Sequence, residues 1–460
     1  MATKTWIGNA AAVKQIDKIA ITGTWANGDT VTVTINGKAL VVTIGNDTTT
    51  AQVAESVRAA FMSDRRLDSE GGTDATSNFG GQECGEFCEI EAVVDKDALS
   101  DVLLIGRLAG RPFTVTAADT AAAGAATKSS VQACTGPWHW DNAKNWDSGT
   151  VPANDDIVVF RDTSVSCLYG LPSGSLEVTF IVYQSFTGQI GLYEWNTQQG
   201  PNKTFKEYRQ QYVGLDESGS GTTLTHTFGV GPGTGSPLVN VSHSVAAGLV
   251  VSANVFNTGT PQVQGGKALN LMIKNNPADA GTVTILKGSV SLTPWYTSTL
   301  PMFSVLNIGQ SGQQEGDVDV FVKDLNRSCT IMQSGGRVLW HETTSAVAGD
   351  RTLTVYGGTF EMRDGKTSGT ISMTVNAGTV LWNADKTITT CILGSRGTFN
   401  AENDMRSFTV TNLDLYGGAK WLDGFARATL TNGLDLNRCA LADCEIRIGT
   451  NRRLTLGTAA

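Results

Sequence analysis

Gly336-Arg-Val-Leu-Trp340, Gly358-Thr-Phe-Glu-Met362, Gly378-Thr-Val-Leu-Trp382, Gly397-Thr-Phe-Asn-Ala401 and Gly418-Ala-Lys-Trp-Leu422 repeat one theme, a glycine followed by alternating apolar residues. The glycines are 22, 20, 19 and 21 residues apart. A self-similar step near twenty residues marks a solenoid, in which each repeat is one turn and buries its apolar face only by stacking on its neighbours. Glycine turns the corner of each rung at Gly336, Gly358, Gly378, Gly397 and Gly418, and the period-2 alternation assigns Val338, Phe360, Val380 and Phe399 to one interior column. A second strand precedes each corner in Cys329-Thr-Ile-Met332, Leu353-Thr-Val-Tyr356, Ile371-Ser-Met-Thr-Val375 and Leu413-Asp-Leu-Tyr416. Gly288-Ser-Val-Ser-Leu292 and Gly316-Asp-Val-Asp-Val320 extend the series upstream, glycine over glycine, with a step of 28. The expected fold is mainly β: a C-terminal parallel β-solenoid (β-helix) over 281–460, with its own C-terminal cap, preceded by a small α+β domain.

Upstream of the solenoid, residues 161–280 read as a less regular β region holding early rungs. Residues 128–160 form a Trp-rich segment leading into the stack, with Trp138, Trp140 and Trp146 within nine positions. Three close tryptophans offer two readings. They can cap the open end of a β stack, or present an aromatic platform to a glycan. The Pro152 turn delivering the chain into Ile157-Val-Val-Phe160 favours the cap. Residues 15–127 read as the compact α+β docking domain, and 1–14 as an N-terminal arm. Asn36-Gly37 between alternating runs is a two-residue hairpin signal, and 48–61 carries Val53, Val57, Ala60 and Phe61 at helical spacing behind a threonine N-cap. The Ala/Gly-rich run 117–127 reads as a linker.

Composition narrows the function. The 460 residues carry 34 Lys and Arg against 43 Asp and Glu, a net charge of −9, and no basic cluster, which argues against nucleic acid. No apolar stretch reaches the roughly 18 residues of a membrane span, and the first residues lack the charged and apolar regions of a secretory signal. We therefore expect synthesis in a host cytoplasm and no membrane partner. The eight cysteines include the C-x3-C pair Cys84 and Cys88 and the C-x4-C pair Cys439 and Cys444. These two pairs fall in different domains and do not make a four-ligand zinc site, so no metal or cofactor is expected. Cys329 and Cys391 sit in apolar strand runs as small hydrophobes.

Cleavage of a polysaccharide would need two carboxylates at a fixed separation. Asp317 with Asp319, Glu361 with Asp364, and Glu402 with Asp404 are the candidates. None recurs in register on successive rungs by the glycine alignment, and each reads as a solvent-face or turn residue. His139, His226, His243 and His341 are too scattered for a metal motif and read as surface or turn residues. No catalytic residue is assigned, and the chain reads as a non-enzyme.

Several stretches resemble an uncharacterised family of tailed-phage and prophage virion structural proteins of a Planctomycetes-associated type. They are Trp6-Ile-Gly-Asn-Ala, Gly23-Thr-Trp-Ala-Asn-Gly-Asp-Thr30 with Ile35-Asn-Gly-Lys38, the Trp138–Phe160 signature, Phe186-Thr-Gly-Gln-Ile-Gly-Leu192 and Gly433-Leu-Asp-Leu-Asn-Arg-Cys439. The resemblance spans most of the chain and implies a place in the virion. The expectation is a capsid-surface decoration or head fibre that docks to a capsid or tail protein through its N-terminal domain, projects the solenoid and associates with itself, as a trimer. The alternatives are a tail spike or fibre that binds or cleaves host surface polysaccharide, and a glycan-binding adhesin using Trp138, Trp140 and Trp146, or the outward aromatics Trp295 and Tyr296.

Overall fold

A computed structural model describes residues 2–46, 48–67, 87, 89–192, 195–197, 204–206, 209–216, 225–231, 239–244, 250–253, 269–275, 282–294, 305–314, 317–323, 328–342, 350–364, 369–403, 405–437 and 443–448. The chain is 54% strand and 5% helix, with a C-terminal parallel β-solenoid of about eight turns. In the regular part each turn contributes two strands that meet at a tight corner, and each strand pairs in parallel with its equivalent one turn away. Arg337–His341 pairs with Thr359–Asp364, which pairs with the second half of Ile371–Ala384, which pairs with the end of Ile388–Asn400.

The register is residue for residue through the decisive stretch. Val338 faces Phe360, Phe360 faces Val380, and Val380 faces Phe399, all four fully buried. Trp340, Met362 and Trp382 form the neighbouring interior column. Corner glycines are imposed by the stacking: Gly358 has φ +81°, and a Cβ there would stand 2.2 Å from the Gly336 carbonyl oxygen.

Two steps of the repeat differ from the glycine alignment. Gly288 lies opposite Val318 and Val290 opposite Val320, so the upstream rung is shifted by two residues from the Gly288–Gly316 match. At the other end Phe399 lies opposite Trp421, one residue beyond the position that counting from Gly418 gives. Counting from the glycine would put Lys420 inside, where an ammonium is costly. The extra residue instead turns Trp421 inward to stack on Phe399, centroids 4.4 Å apart and planes within 5°, and leaves Lys420 outside to pair with Glu445 at 2.9 Å.

The parallel ladder also runs N-terminally through the region that the sequence left irregular. Val250–Ala253, Thr225–Val230 and Thr179–Tyr183 continue one sheet, and Val213–Asp216, Val239–Ser244 and Leu269–Asn275 the other. Ile157–Phe160 pairs with Thr179–Tyr183 on one side and with Thr3–Thr5 on the other. The N-terminal arm is thus the outermost strand of the solenoid rather than a free extension.

Between that strand and the Trp-rich segment the chain builds the small domain. Ile16–Thr24 pairs antiparallel with Asp101–Gly106 and with Ala123–Gln132, and a three-stranded sheet is formed by Thr30–Ile35, Lys38–Thr43 and Val115–Asp119. Asn36 and Gly37 both take positive φ, at 49° and 79°, as a two-residue hairpin turn requires. The helix Thr50–Leu67 opens with Thr49 and Gln52 bonded reciprocally in a capping box, and buries Val53, Val57 and Phe61 against both sheets. The expected linker at 117–127 is a correction: most of it is strand, and the domain ends near Gln132. The run is Ala- and Gly-rich because it packs closely; a Cβ on Gly124 would lie 2.8 Å from the Trp25 indole. The domain is therefore an insertion whose two ends meet where Val13 donates to the Thr135 carbonyl at 2.7 Å.

Candidate functional site: the capped end and the outer faces

The capped end is assembled from the arm and the Trp-rich segment. Trp6 and Trp146 meet edge to face with centroids 5.1 Å apart, Trp146 and Trp140 at 4.8 Å, and all three cover Phe160 at the end of the interior column. Buried indole N–H groups need acceptors. Trp6 donates to the Val165 carbonyl and Trp146 to that of Trp140, each at 2.8 Å. Asn145, also buried, donates to the Gly136 and His139 carbonyls and accepts the Ala10 N–H at 2.7 Å.

Trp140 and Trp146 are thus core residues with no ring face for a sugar. Trp138 is half-buried and packs beside Gly110 of the inserted domain. Trp295 and Tyr296 lie outside the described residues. Sequence reasoning missed Trp6, because its role depends on a strand pairing across about 150 residues, Thr3–Thr5 with Ile157–Val159.

The seam between inserted domain and cap is centred on His139. This side chain is buried, as is His226, which accepts the Phe180 N–H at 3.1 Å. Both correct the surface expectation; His341 is half-buried, and the His243 side chain lies outside the described ones. His139 Nε2 lies 3.0 Å from the Gly110 carbonyl and 3.7 Å from Cys134 Sγ, and Nδ1 lies 3.6 Å from Asp141. Its ring also contacts Tyr169, whose other neighbour is the Arg209 guanidinium.

Burial pulls the His139 pKa down, but Asp141, Cys134 and the Gly110 carbonyl outweigh it and raise the value to about 9. A raised folded-state value means stabilisation that is complete below the unfolded value near 6.5 and lost as pH rises through about 9. The melting temperature should fall between pH 7 and 9.5, and the fall should be reduced in His139→Gln; identical pH profiles for both proteins would refute the assignment.

Among the sequence candidates for acid chemistry, Asp317 is exposed and Asp319 half-buried, whereas the Asp364 side chain and Asp404 lie outside the described residues. Glu361 corrects its expected surface position: it is nearly buried between Arg337 at 3.0 Å and Arg363 at 2.6 Å. Burial raises its pKa, but the two guanidiniums win and hold it below the usual carboxylate range. It is a structural counter-ion. Glu402 lies 3.9 Å from Arg447.

One in-register carboxylate pair is present among the described residues, outside the three pairs that the sequence put forward. Asp414 faces Asp435 on successive turns, next to Asn412, which accepts from the Asn432 amide at 2.8 Å. Burial, then the charge of Asp435, raise the Asp414 pKa. The signal was present in the matching triplets Leu413-Asp-Leu415 and Leu434-Asp-Leu436.

Among the described thiols, Cys134, Cys167, Cys329 and Cys391 form no disulfide, and Cys444 donates to the Tyr416 carbonyl at 3.4 Å. Burial pushes Cys329 up to about 12 and raises Cys391 and Cys167 as well, so these three are protonated packing groups. Cys84, Cys88 and Cys439 lie outside the described residues. Among the described residues no group of three or more His, Cys, Asp or Glu is placed to hold a metal ion, and no helix is long and apolar enough to cross a membrane. No protein-family model and no curated protein matches the chain.

Proposed function

We propose that the chain is a non-enzymatic structural protein of a tailed-phage particle, a capsid-surface decoration or head fibre. It docks to a capsid or tail protein through the inserted domain and carries the solenoid as its projecting part. The observation behind this reading is the position of the domain. It is inserted at the tryptophan-capped end and held to the cap by the His139–Gly110 contact and by Arg209, which donates to the Pro112 carbonyl at 3.4 Å. A compact module fixed at one end of a stack of repeats is the layout of an attachment head and a shaft. A homotrimer suits the local threefold axes of a capsid lattice and the symmetry of tail fibres, an inference by analogy with assemblies of this shape.

The test follows from the topology. Removing residues 1–127 would also remove Thr3–Thr5 and Trp6 and unseal the solenoid, so the domain should instead be excised across the Val13–Thr135 junction. The intact chain should have a trimer's mass and bind particles, and the excised chain should not bind. A monomer that binds nothing, or an excised chain that still binds, rejects the proposal.

The Asp414–Asp435 pair favours one alternative, a tail spike that cleaves host surface polysaccharide, because adjacent carboxylates with one raised pKa are the groups such hydrolysis uses. Release of reducing ends that disappears in Asp414→Asn would establish the spike in place of the decoration.

A further inference from the structure

The corner side of the solenoid carries a cleft with a different character from the cap. The turn joining Val305–Ile308 to Val318–Lys323 spans 309–317, whereas the next two corners need only 334–336 and 356–358. The long turn stands over two short ones built on glycine doublets, Gly335-Gly336 and Gly357-Gly358. Those glycines are sterically required. A Cβ on Gly335 would lie 2.4 Å from the Gln310 carbonyl oxygen, and one on Gly357 would lie 2.8 Å from that of Ser334.

The result is a cleft of about 390 Å³ lined by Ser311, Gln313 and Gln314 of the long turn and by Tyr356 and the glycine doublet of a later corner. The Gln313 side chain in its lining is held in place. Gln313 Oε1 accepts the Gln310 N–H at 2.6 Å, and its amide donates to the Leu286 carbonyl at 2.8 Å.

The chemistry of the lining is specific. None of the nine described lining residues is charged; they offer hydroxyls, amides and open peptide groups. Tyr356 is 55% exposed, one of three exposed aromatic rings among the described residues with Phe425 and Tyr416, whereas most of the others line the interior. An exposed tyrosine facing hydroxyl and amide groups suits a ligand with an apolar ring face and a hydroxylated rim.

A second aromatic repeats the arrangement along the axis. The residues after the in-register series Val355, Val375, Leu393 and Leu415 are Tyr356, Asn376, Gly394 and Tyr416. Tyr416 is 42% exposed, and it lies three turns from Tyr356, on the order of 14 Å at the usual strand spacing. Between them Asn376 supplies an amide and Gly394 leaves the surface low.

We propose that this corner is a binding site for a neutral polysaccharide, which enters the cleft against Tyr356 and lies along the solenoid axis towards Tyr416. The site is independent of the cap tryptophans and does not rest on the virion assignment. Particle attachment and glycan binding are separate measurements, so either can fail alone.

The test is affinity electrophoresis of the full chain in native gels containing dextran, mannan or the acidic polymer alginate. Neutral polymer should retard the protein. Tyr356→Ala should weaken retardation about tenfold and Tyr416→Ala by a smaller factor, with unchanged melting temperatures because both rings are largely exposed. Failure of both neutral polymers to retard the protein overturns the proposal, as does undiminished retardation of Tyr356→Ala. Retardation by alginate alone would also overturn it, moving the interaction to cations such as Arg396 on a later corner.

Discussion

Phe360→Ala should lower the unfolding free energy by about 3–5 kcal/mol, the range for truncating a fully buried aromatic in a well-packed core. Phe360 is 0% exposed, with Val338 on the turn before and Val380 on the turn after. Its ring also approaches Trp340, centroids 6.1 Å apart. The neighbours are strands fixed by ladder hydrogen bonds on both sides, so the cavity cannot readily collapse. Because each turn touches only its neighbours, the loss is concentrated at two interfaces and should open the stack there first. Guanidinium unfolding followed by tryptophan fluorescence measures it, with Val380→Ala as a smaller-cavity companion. A loss under about 1 kcal/mol for Phe360→Ala would mean that the column does not carry the core.

That interior column was legible because two independent periods coincided in it, a twenty-residue step for the turn and a two-residue alternation for the strand. Where only one period was available, the sequence reading slipped. Gly316 and Gly418 look like corners, yet the side chains beyond them find their places by burial. Lys420 cannot occupy the interior and Trp421 can, so the register moves by one. The cap was half legible: three tryptophans announced a sealed end, but Trp6 and the pairing of Thr3–Thr5 with Ile157–Val159 depend on the two ends of an inserted domain returning to the same point. Composition misled at 117–127, where small residues mean close packing against Trp25 rather than a linker. The corner cleft was invisible for a related reason. Its lining comes from three corners of unequal length, and no spacing rule ties Gln313 to Tyr356.

Glu342→Leu should be as damaging as the loss of Phe360, by a different route. Arg351 occupies an interior position that other turns fill with Cys329, Ile371, Ile388 and Val410. It is accommodated because Glu342 lies 2.9 Å from its guanidinium, and Glu342 also meets Lys386 Nζ at 3.3 Å and the Trp340 indole N–H at 3.2 Å. Glu342, Arg351 and Lys386 are at most 2% exposed. Burial lowers the Lys386 pKa, and the Glu342 carboxylate opposes that shift. Removing the carboxylate takes away the buried counter-charge that both cations share, at a cost of about 3–5 kcal/mol. Replacing the whole cluster with apolar residues, Glu342→Leu with Arg351→Met and Lys386→Met, should recover most of it, because desolvating the three charges consumes much of what their pairing returns. The three groups come from three successive turns, so a stack slipped by one turn would strand at least one charge. On this hypothesis the cluster fixes which turn sits on which, a task that near-identical rungs such as Gly358–Met362 and Gly378–Trp382 cannot perform by shape alone. The triple variant should then recover its unfolding midpoint while refolding to a mixture, seen as several bands on native electrophoresis. One band with the native mobility would show that packing sets the register without the charges.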